Sequence, residues 1–394
     1  MAQEAAMTFK TRLTVLLVST PVLAFVIVGG LMGQERASGD RVFRHLRVFE
    51  DVVQLVRSQY VEEVKMDKAM EGALRGLADG LDSDSAYLDA EQVKSLNVQP
   101  TPDGDVGLEL TRQYYLRIIA ARDGSPAATA GLQTGDFVRA IDGRPTRDMS
   151  VFHGTRLLRG QPGTKITLTV IRGSAAEPHD VVLVREKASG PAVTSRLIGT
   201  DIGYVRVATF RAGAAEDLRK HSAELAKSGA KALLIDLRRT AEGPLDNGIA
   251  AARAFVKSGT LVIKAGREQA DRETIAARPN ESAVDLPVTL LVTTGTSGAA
   301  ELFIAALDGN QRADVVGERT LGRAGVQKLV QLPENRGLWL TYAKFLTPKG
   351  DPIHGRGIEP DVRIDEPDME FGGAAPEKDV MLDTAVEHIR KKTA

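Results

Sequence analysis

The chain has 394 residues, and at about 150 residues per domain this length predicts two or three domains rather than one compact core. Its 51 Lys and Arg residues against 52 Asp and Glu residues give a net charge of -1, which argues against nucleic acid as a partner because no basic excess faces a phosphate backbone. Cysteine is absent, which excludes disulfides, thiolate metal sites and a cysteine nucleophile.

Residues 1–12 form a short N-terminal tail, and residues 13–33 carry no charge. A helix over these 21 residues would rise about 31 Å, the thickness of a bilayer's hydrocarbon core, so the sequence predicts a single transmembrane anchor. A cleaved secretory signal is the alternative, with Lys10 and Arg12 as its basic start, although its apolar stretch usually has about 7–15 residues. A buried soluble helix is less well supported, because such helices are rarely apolar on every face.

Charge alone does not direct the soluble part outward. Two basic residues precede the apolar segment and four arginines follow it, against a simple positive-inside count; these are Arg36, Arg41, Arg44 and Arg47. Large domains translocate largely regardless of charge, so the orientation has to come from another source.

Four regions follow with different patterns. Residues 41–98 place apolar side chains at helical spacing and predict two or three helices. Residues 99–188 are β-rich with Gly punctuation, which predicts a small separate domain. Residues 190–366 alternate apolar strands with helices and predict an α/β core with a mostly parallel sheet covered on both faces. Residues 367–394 form a polar tail with one helix.

The elements predicted for the core and tail follow one another in a regular alternation. In chain order they are the strand Gly203–Ala208, the helix Ala214–Ser228, the strand Ala232–Leu237, the helix Gly248–Lys257, the strands Leu261–Lys264 and Val288–Thr294, a helix ending at Leu307, and the tail helix Asp379–Arg390.

One strand-to-helix junction has the form of a nucleophile turn. The strand Val288–Thr294 ends at Gly295 and runs into Thr296-Ser297-Gly298-Ala299-Ala300-Glu301, which begins the next helix. A tight turn of this kind can expose a nucleophile and supply backbone N–H groups for an oxyanion, although many α/β proteins have such a turn without chemistry.

Many short blocks follow one another in a characteristic order over residues 42–365. They are Gly72-Ala73-Leu74-Arg75-Gly76-Leu77, Leu81-Asp82-Ser83, Tyr87-Leu88-Asp89, Gly124-Ser125-Pro126-Ala127-Ala128, Ala130-Gly131-Leu132-Gln133-Thr134-Gly135-Asp136, Leu158-Arg159-Gly160, Pro162-Gly163-Thr164, Ile235-Asp236-Leu237-Arg238, Ala300-Glu301-Leu302, Arg312-Ala313, Val316-Gly317-Glu318, Thr320-Leu321-Gly322, Val326-Gln327 and Gly355-Arg356-Gly357-Ile358-Glu359-Pro360-Asp361. In these blocks and their order the chain resembles the carboxy-terminal processing (tail-specific) serine proteases.

The resemblance implies N-terminal helices, an embedded PDZ domain over residues 99–188 and an α/β protease core, on the periplasmic side of a bacterial inner membrane. It implies a Ser–Lys dyad whose lysine must lose its proton to act as base, and it requires no cofactor. The six histidines show neither triad-like nor metal-like spacing, so no metal site is predicted.

Three positions depart from the family pattern. The slot of the nucleophilic serine holds Gly298, and the slot of the lysine, 25 positions later, holds Arg323, which stays protonated. Glu242 stands where the family has the first glycine of its oxyanion loop, and a carboxylate there would repel the developing oxyanion. Gln327 matches a glutamine that supports the lysine in relatives. The catalytic site is therefore predicted to be inactive.

An active alternative would use Ser297, one residue from the slot, with Lys328 or Lys344 as base. A displacement of one residue at such a turn rotates the side chain by about 100 degrees, which favours Ser297 as a helix N-cap instead. Glu301 and Glu318 are predicted to be structural or solvated carboxylates.

A PDZ domain binds a peptide as an added strand and holds its terminal carboxylate on backbone N–H groups of a glycine-containing loop. The matching stretch predicts a peptide-binding site at Val106, Gly107, Leu108, Glu109 and Leu110. Asp105 replaces a residue that is often glycine in relatives, and its charge is expected to weaken carboxylate capture. Asp136 is predicted to be a structural turn residue.

The sequence thus predicts a membrane-anchored, periplasm-facing pseudoprotease that binds protein C-termini or other peptides through its PDZ-like domain. An active relative or a second copy of the chain could also be its partner. The alternatives are an active serine endopeptidase that trims C-terminal tails and an architectural subunit without a ligand.

Overall fold

The structure is a computed structural model that describes residues 43–96, 102–173, 177–281, 284–365, 371 and 378–393. The predicted tail 1–12 and anchor 13–33 lie outside the described residues. Within the part of the chain that is described, no helix is both long enough and apolar enough to cross a membrane.

Two compact units divide the chain, residues 1–73 and residues 74–394. In the first unit, residues 43–59 form helix α1. Helix α2 (Met66–Asp79) begins in that unit and ends in the second. The second unit continues with strand β1 (Ala86–Leu88) and helix α3 (Ala90–Leu96). The helices predicted here are confirmed, whereas the short buried strand β1 was not predicted.

The next region contains an antiparallel sheet and two short helices. Residues in strand β7 (Lys165–Ile171) alternate between the surface and the interior, as expected where one face of a strand is buried. The strand order is β3-β4-β5-β7-β8, with β6 beside β5 and with β2 paired to β9. The other elements are β2 (Gly104–Asp105), β3 (Leu108–Gln113), β4 (Tyr115–Ala121), α4 (Pro126–Thr129), β5 (Phe137–Ile141), β6 (Arg144–Pro145), α5 (Val151–Leu158), β8 (His179–Val184) and β9 (Glu186–Lys187).

The core is built on a six-stranded sheet with the order β10-β11-β12-β15-β16-β19. β10 and β11 pair antiparallel and the four remaining pairs are parallel. All five residues of β12 are buried, because Leu233 and Ile235 face one hydrophobic cluster and Leu234 faces another on the opposite side of the sheet. The elements are β10 (Val193–Ile198), β11 (Ile202–Val207), α6 (Ala214–Lys227), β12 (Ala232–Asp236), α7 (Leu245–Ala252), β15 (Val288–Val292), α8 (Ala299–Gly309), β16 (Ala313–Gly317), β19 (Val362–Arg363) and α9 (Val380–Thr393).

A second sheet of the core is antiparallel in all its described pairs. It joins β1, β17 and β13 to the long strand β18, and β14 to β13. Its strands are β13 (Thr260–Ala265), β14 (Arg272–Ala276), β17 (Gly325–Gln331) and β18 (Gly337–Leu346); short 3-10 helices lie at Gln269–Asp271, Pro279–Glu281 and Pro333–Asn335.

The prediction of a mostly parallel sheet therefore holds for one sheet and is wrong for the core as a whole, in which the sheets taken together are largely antiparallel. The predicted strand Leu261–Lys264 was placed in the parallel layer, but as β13 it pairs antiparallel with β14 and β18. Neighbouring strands joined by a short turn, such as β17 and β18, pair antiparallel because the chain reverses between them.

Candidate active site

The turn between β15 and α8 has the backbone of a nucleophile turn. Gly298, the N-cap of α8, has φ 65° and ψ -121°, a conformation that residues with a side chain adopt at a cost of about 1–3 kcal/mol. A methyl group on Gly298 would lie 3.7 Å from Ala241 O, 3.8 Å from Leu245 Cδ2 and 3.9 Å from Arg323 O, which are ordinary contacts. The turn has room for a side chain, but glycine provides no oxygen to react.

Ser297 is buried beside that turn, with 1% of its surface exposed. Its N–H donates to Thr240 O at 3.0 Å, and its Oγ finds no hydrogen-bond partner among the described residues. The prediction that Ser297 caps α8 is wrong, because Gly298 is the N-cap and its N–H donates to the Glu301 carboxylate at 3.0 Å.

The Glu301 side chain joins the two catalytic slots. Its Oε2 accepts the N–H groups of Gly298 and Arg323, the latter at 2.7 Å. Its Oε1 accepts the Thr320 hydroxyl and the Gly322 N–H, each at 2.5 Å. Complete burial raises the pKa of Glu301, and these four donors oppose that shift. Of the two roles predicted for Glu301, a structural or a solvated carboxylate, the structure shows the structural one.

Arg323 occupies the lysine slot and bridges two carboxylates. Its Nε lies 3.0 Å from Asp84 Oδ1, and its Nη1 lies 3.2 Å from Glu109 Oε2 on β3. Burial alone would lower the pKa of Arg323, but the charges of Asp84 and Glu109 outweigh it and hold the pKa above its ordinary value. Burial in turn raises the pKa of Glu109. The group in this slot holds its proton and cannot act as a base.

Glu242 lies in the loop that follows β12. Its carbonyl oxygen accepts the Phe210 N–H at 2.8 Å, and its Oε2 lies 3.1 Å from Arg122 Nη1. The next residue, Gly243, has φ 127°, and a methyl group there would lie 2.5 Å from the Phe210 carbonyl. Only glycine fits at position 243, so the path of this loop depends on Gly243. Glu242 places a carboxylate in the same loop.

Arg122 connects Glu242 to the PDZ-like region. Its Nη2 lies 3.0 Å from Asp105 Oδ1, so one guanidinium binds both Asp105 and Glu242. Burial alone would lower the pKa of Arg122, but the two carboxylates outweigh it and raise the pKa above its ordinary value. Glu242 and Asp105, which both stand where relatives have or often have glycine, are therefore joined by an arginine that the sequence pattern does not indicate.

Gln327 donates from Nε2 to Thr341 Oγ1 at 3.1 Å and so links β17 to β18. The two alternative bases lie on the same strands: Lys328 Nζ sits 4.8 Å from the centre of the Tyr342 ring, and Lys344 is exposed. Neither lysine bonds to the Ser297 hydroxyl, which has no hydrogen-bond partner within the described part of the chain.

Four of the five predicted peptide-binding residues line one cleft. Val106, Gly107, Leu108 and Glu109 line it together with Arg122, and Thr155, Leu158 and Arg159 contribute from α5 and its C-terminal end. The facing wall belongs to the core and includes Arg239, Ala241 and Glu242. The fifth residue, Leu110, is fully buried in the hydrophobic core of the PDZ-like region.

Asp136 is a structural turn residue, as predicted. Its Oδ2 accepts the Gln133 N–H at 2.9 Å, and its carboxylate pairs with Arg172 Nε at 2.6 Å.

Comparison with known proteins gives the family. Residues 201–364 match the profile of peptidase family S41, and residues 117–172 match a PDZ domain profile. A carboxy-terminal-processing protease of Bartonella bacilliformis is 33% identical over 331 residues, covering 82% of this chain and 76% of that protein. A carboxyl-terminal-processing protease of Synechocystis is 34% identical over 301 residues, covering 74% of this chain and 70% of that protein. The carboxy-terminal processing protease CtpA of Bacillus subtilis is 29% identical over 374 residues, covering 93% and 79%.

The chain therefore belongs to peptidase family S41, among the carboxy-terminal processing proteases. The fold agrees: the photosystem II D1 C-terminal processing protease matches with a TM-score of 0.67 and 27% identity, covering 79% of this chain and 86% of that chain.

Proposed function

We propose that this chain is a pseudoprotease, a family member that binds peptides without cleaving them. The observation that carries the proposal is the content of the two slots that Glu301 joins. Gly298 offers no oxygen for attack, and Arg323 offers a guanidinium held between Asp84 and Glu109. A guanidinium does not give up its proton near neutral pH, and two neighbouring carboxylates strengthen its hold.

Glu242 adds a second obstacle to cleavage. A tetrahedral intermediate needs donors aimed at its oxyanion, and the loss of one donor costs about 3–4 kcal/mol of transition-state stabilisation. A carboxylate in the loop that supplies such donors in relatives opposes the same negative charge. The loop thus disfavours acyl transfer even where a nucleophile is supplied.

Peptide binding is supported by the cleft beside Gly107. The loop there has φ 76° at Gly107, and a methyl group at that position would lie 2.2 Å from Ser125 Cβ, so only glycine permits this close approach. A PDZ domain takes a peptide as an added strand along such a loop and reads its terminal carboxylate. The substrate class is an unfolded C-terminal segment with an apolar end.

The test uses the purified full-length protein and a fluorescent peptide with an apolar C-terminal residue. We expect binding without cleavage, and we expect Leu108→Ala to weaken the binding while Ser297→Ala leaves it unchanged. Cleavage abolished by Ser297→Ala would establish the endopeptidase alternative. Absence of binding would leave an architectural subunit. Circular dichroism of each variant confirms that it is folded.

The location proposed for the protein is a bacterial inner membrane with the soluble part in the periplasm. The uncharged run 13–33 supports an anchor of one span. Alkaline phosphatase fused after the last residue is expected to be active and a fluorescent protein fused there to be dark. The reverse pattern would place the soluble part in the cytoplasm, and loss of the N-terminus from the mature protein would indicate a cleaved signal.

A further inference from the structure

The cleft proposed for peptide binding is closed on one side by the loop of the degenerate active site. Its PDZ-like wall runs from Asp105 to Glu109, and its core wall includes Ala241 and Glu242. A peptide that adds to this loop would bring its terminal carboxylate to the same place. The two walls belong to different regions of the chain, so their separation sets how much of the cleft is open.

One guanidinium of the cleft lies against the glycine loop to which that carboxylate would come. A methyl group on Gly107 would lie 3.4 Å from Arg122 Nη2, and the Arg122 N–H donates to Gly107 O at 2.8 Å. Arg122 is therefore a cation in direct contact with the loop, and its side chain is only 10% exposed; Arg159 and Arg239 also line the cleft. A carboxylate that reaches this guanidinium forms a charge-assisted pair.

Glu242, which belongs to the core, already forms an ion pair with the Arg122 guanidinium. Its Oε2 lies 3.1 Å from Arg122 Nη1, while Asp105 takes Nη2 at 3.0 Å. A guanidinium that already pairs with two carboxylates attracts a third carboxylate only weakly. Asp105 and Glu242 also repel the incoming carboxylate.

We propose that Glu242 is an internal competitor of the peptide's terminal carboxylate, so that a peptide with a free C-terminus binds only as the ion pair between Glu242 and Arg122 opens. The proposal rests on the peptide binding proposed above. It assigns to Glu242 a role in ligand selection: the cleft discriminates against free carboxylates as long as the pair is closed.

The experiment measures the dissociation constants of two peptides of the same sequence, one with a free C-terminal carboxylate and one with a C-terminal amide, on the purified full-length protein. Glu242→Gln is expected to tighten binding of the free-carboxylate peptide about tenfold, the effect of one charge-assisted pair, and to change binding of the amide less than twofold. Glu242→Ala is expected to give the same preference, and Arg122→Gln added to Glu242→Gln is expected to abolish the gain.

Asp123→Asn is the matched control. Asp123 pairs with Arg206 Nε at 2.8 Å and also joins the PDZ-like region to the core, but it does not line the cleft. If Glu242→Gln acted only by loosening the contact between the PDZ-like region and the core, Asp123→Asn would have the same effect on peptide binding. An equal gain in both variants, or an unchanged ratio of the two dissociation constants in Glu242→Gln, overturns the competition while peptide binding stands. Failure of every variant to bind either peptide overturns both proposals.

Discussion

Two junctions meet at the turn that carries Gly298, and they are built from different chemistry. At the first, the Glu301 carboxylate is fully buried and met by three backbone N–H groups and a hydroxyl. At the second, charged side chains pair across regions of the chain, with Arg323 between Asp84 and Glu109, and Arg122 between Asp105 and Glu242. The first junction fixes the backbone of the turn, while the second places paired charges at Arg323 and Glu242.

The comparison separates the backbone of the turn from the side chains that stand on it and around it. The turn at Gly298, with its positive φ, and the close approach at Gly243 are kept in a chain that has glycine and arginine where the resemblance places the nucleophile and the base. The Glu301 carboxylate accepts the backbone N–H groups of both Gly298 and Arg323. The conformation of the turn therefore depends on Glu301 whether or not a reaction takes place.

The largest effect is expected from Glu301→Gln. One oxygen would become an amide NH2 group facing two donors, and buried donors left without an acceptor cost about 1–3 kcal/mol each, so we expect a loss of about 4 kcal/mol. Urea unfolding of the full-length protein measures it. Glu318→Gln is a milder control, because Glu318, which accepts the Thr294 N–H at 3.1 Å, is only half-buried. Equal losses in both variants would contradict the role given to Glu301.

A smaller effect with a clear dependence on pH is expected at Asp236. This carboxyl is buried at the end of β12, where Arg238 Nη2 lies 2.7 Å from its Oδ2. Burial alone would raise the pKa of Asp236, but the charges of Arg206 and Arg238 and the hydrogen bonds from Arg238 outweigh it, so the pKa lies below its ordinary 3.8. A lowered pKa contributes stability that is present above the unfolded value and lost as the pH falls through the folded value.

Asp236→Asn is therefore expected to cost about 3 kcal/mol at pH 7, and this difference from the original protein is expected to shrink below about pH 4. Unfolding by urea at pH 7, 4 and 3 measures both effects. A difference that stays constant over this range would show that the ionised carboxylate does not stabilise the fold.

An effect of about 1–2 kcal/mol is expected from Arg323→Met. Removal of the guanidinium leaves Asp84 and Glu109 without their partner, but its side chain is 29% exposed, so solvent screens part of the loss. Added Glu109→Gln is expected to recover part of it, and the double-mutant cycle gives the coupling. Arg219→Met, in an exposed pair with Glu216, is the control and is expected to leave the free energy of unfolding unchanged, because solvent screens an exposed pair.

The geometry of the first junction could be predicted from the sequence because its parts are local. The strand, the turn at Gly298 and the helix follow one another within about twenty residues, and their pattern is visible in the chain. The ends of the predicted elements differ from the structure by several residues: the helix predicted over Gly248–Lys257 runs over Leu245–Ala252. The predicted parallel arrangement is wrong for the strands of the second sheet, in which β13, β14, β17 and β18 pair antiparallel.

The charges of the second junction could not be predicted. Arg122 and Glu242 are 120 positions apart, and Asp84 and Arg323 are 239 positions apart. No periodicity connects residues at such separations, and the chain has 51 basic and 52 acidic side chains to combine. The sequence identified Arg323 and Glu242 as departures from the family, and only the fold shows which charges they meet.

The smallest effect on stability is expected from Gly298→Ser. The serine would find ordinary contacts from 3.7 Å outward but would adopt a positive φ, so we expect a loss of about 1 kcal/mol. Thermal unfolding measures it. A loss above about 3 kcal/mol would mean that the slot has closed around the glycine.

The same variant tests whether the charges alone suppress the chemistry. In a protein with Gly298→Ser and Arg323→Lys, Asp84 and Glu109 would raise the pKa of the new lysine, which is the opposite of what a general base requires. We expect no labelling of this double variant by a serine-directed phosphonate. Labelling is expected only when Asp84→Asn, Glu109→Gln and Glu242→Gly are added, because these changes remove the carboxylates that hold the proton on the lysine and oppose the oxyanion. Rapid labelling of the double variant would show that the paired charges do not suppress the site.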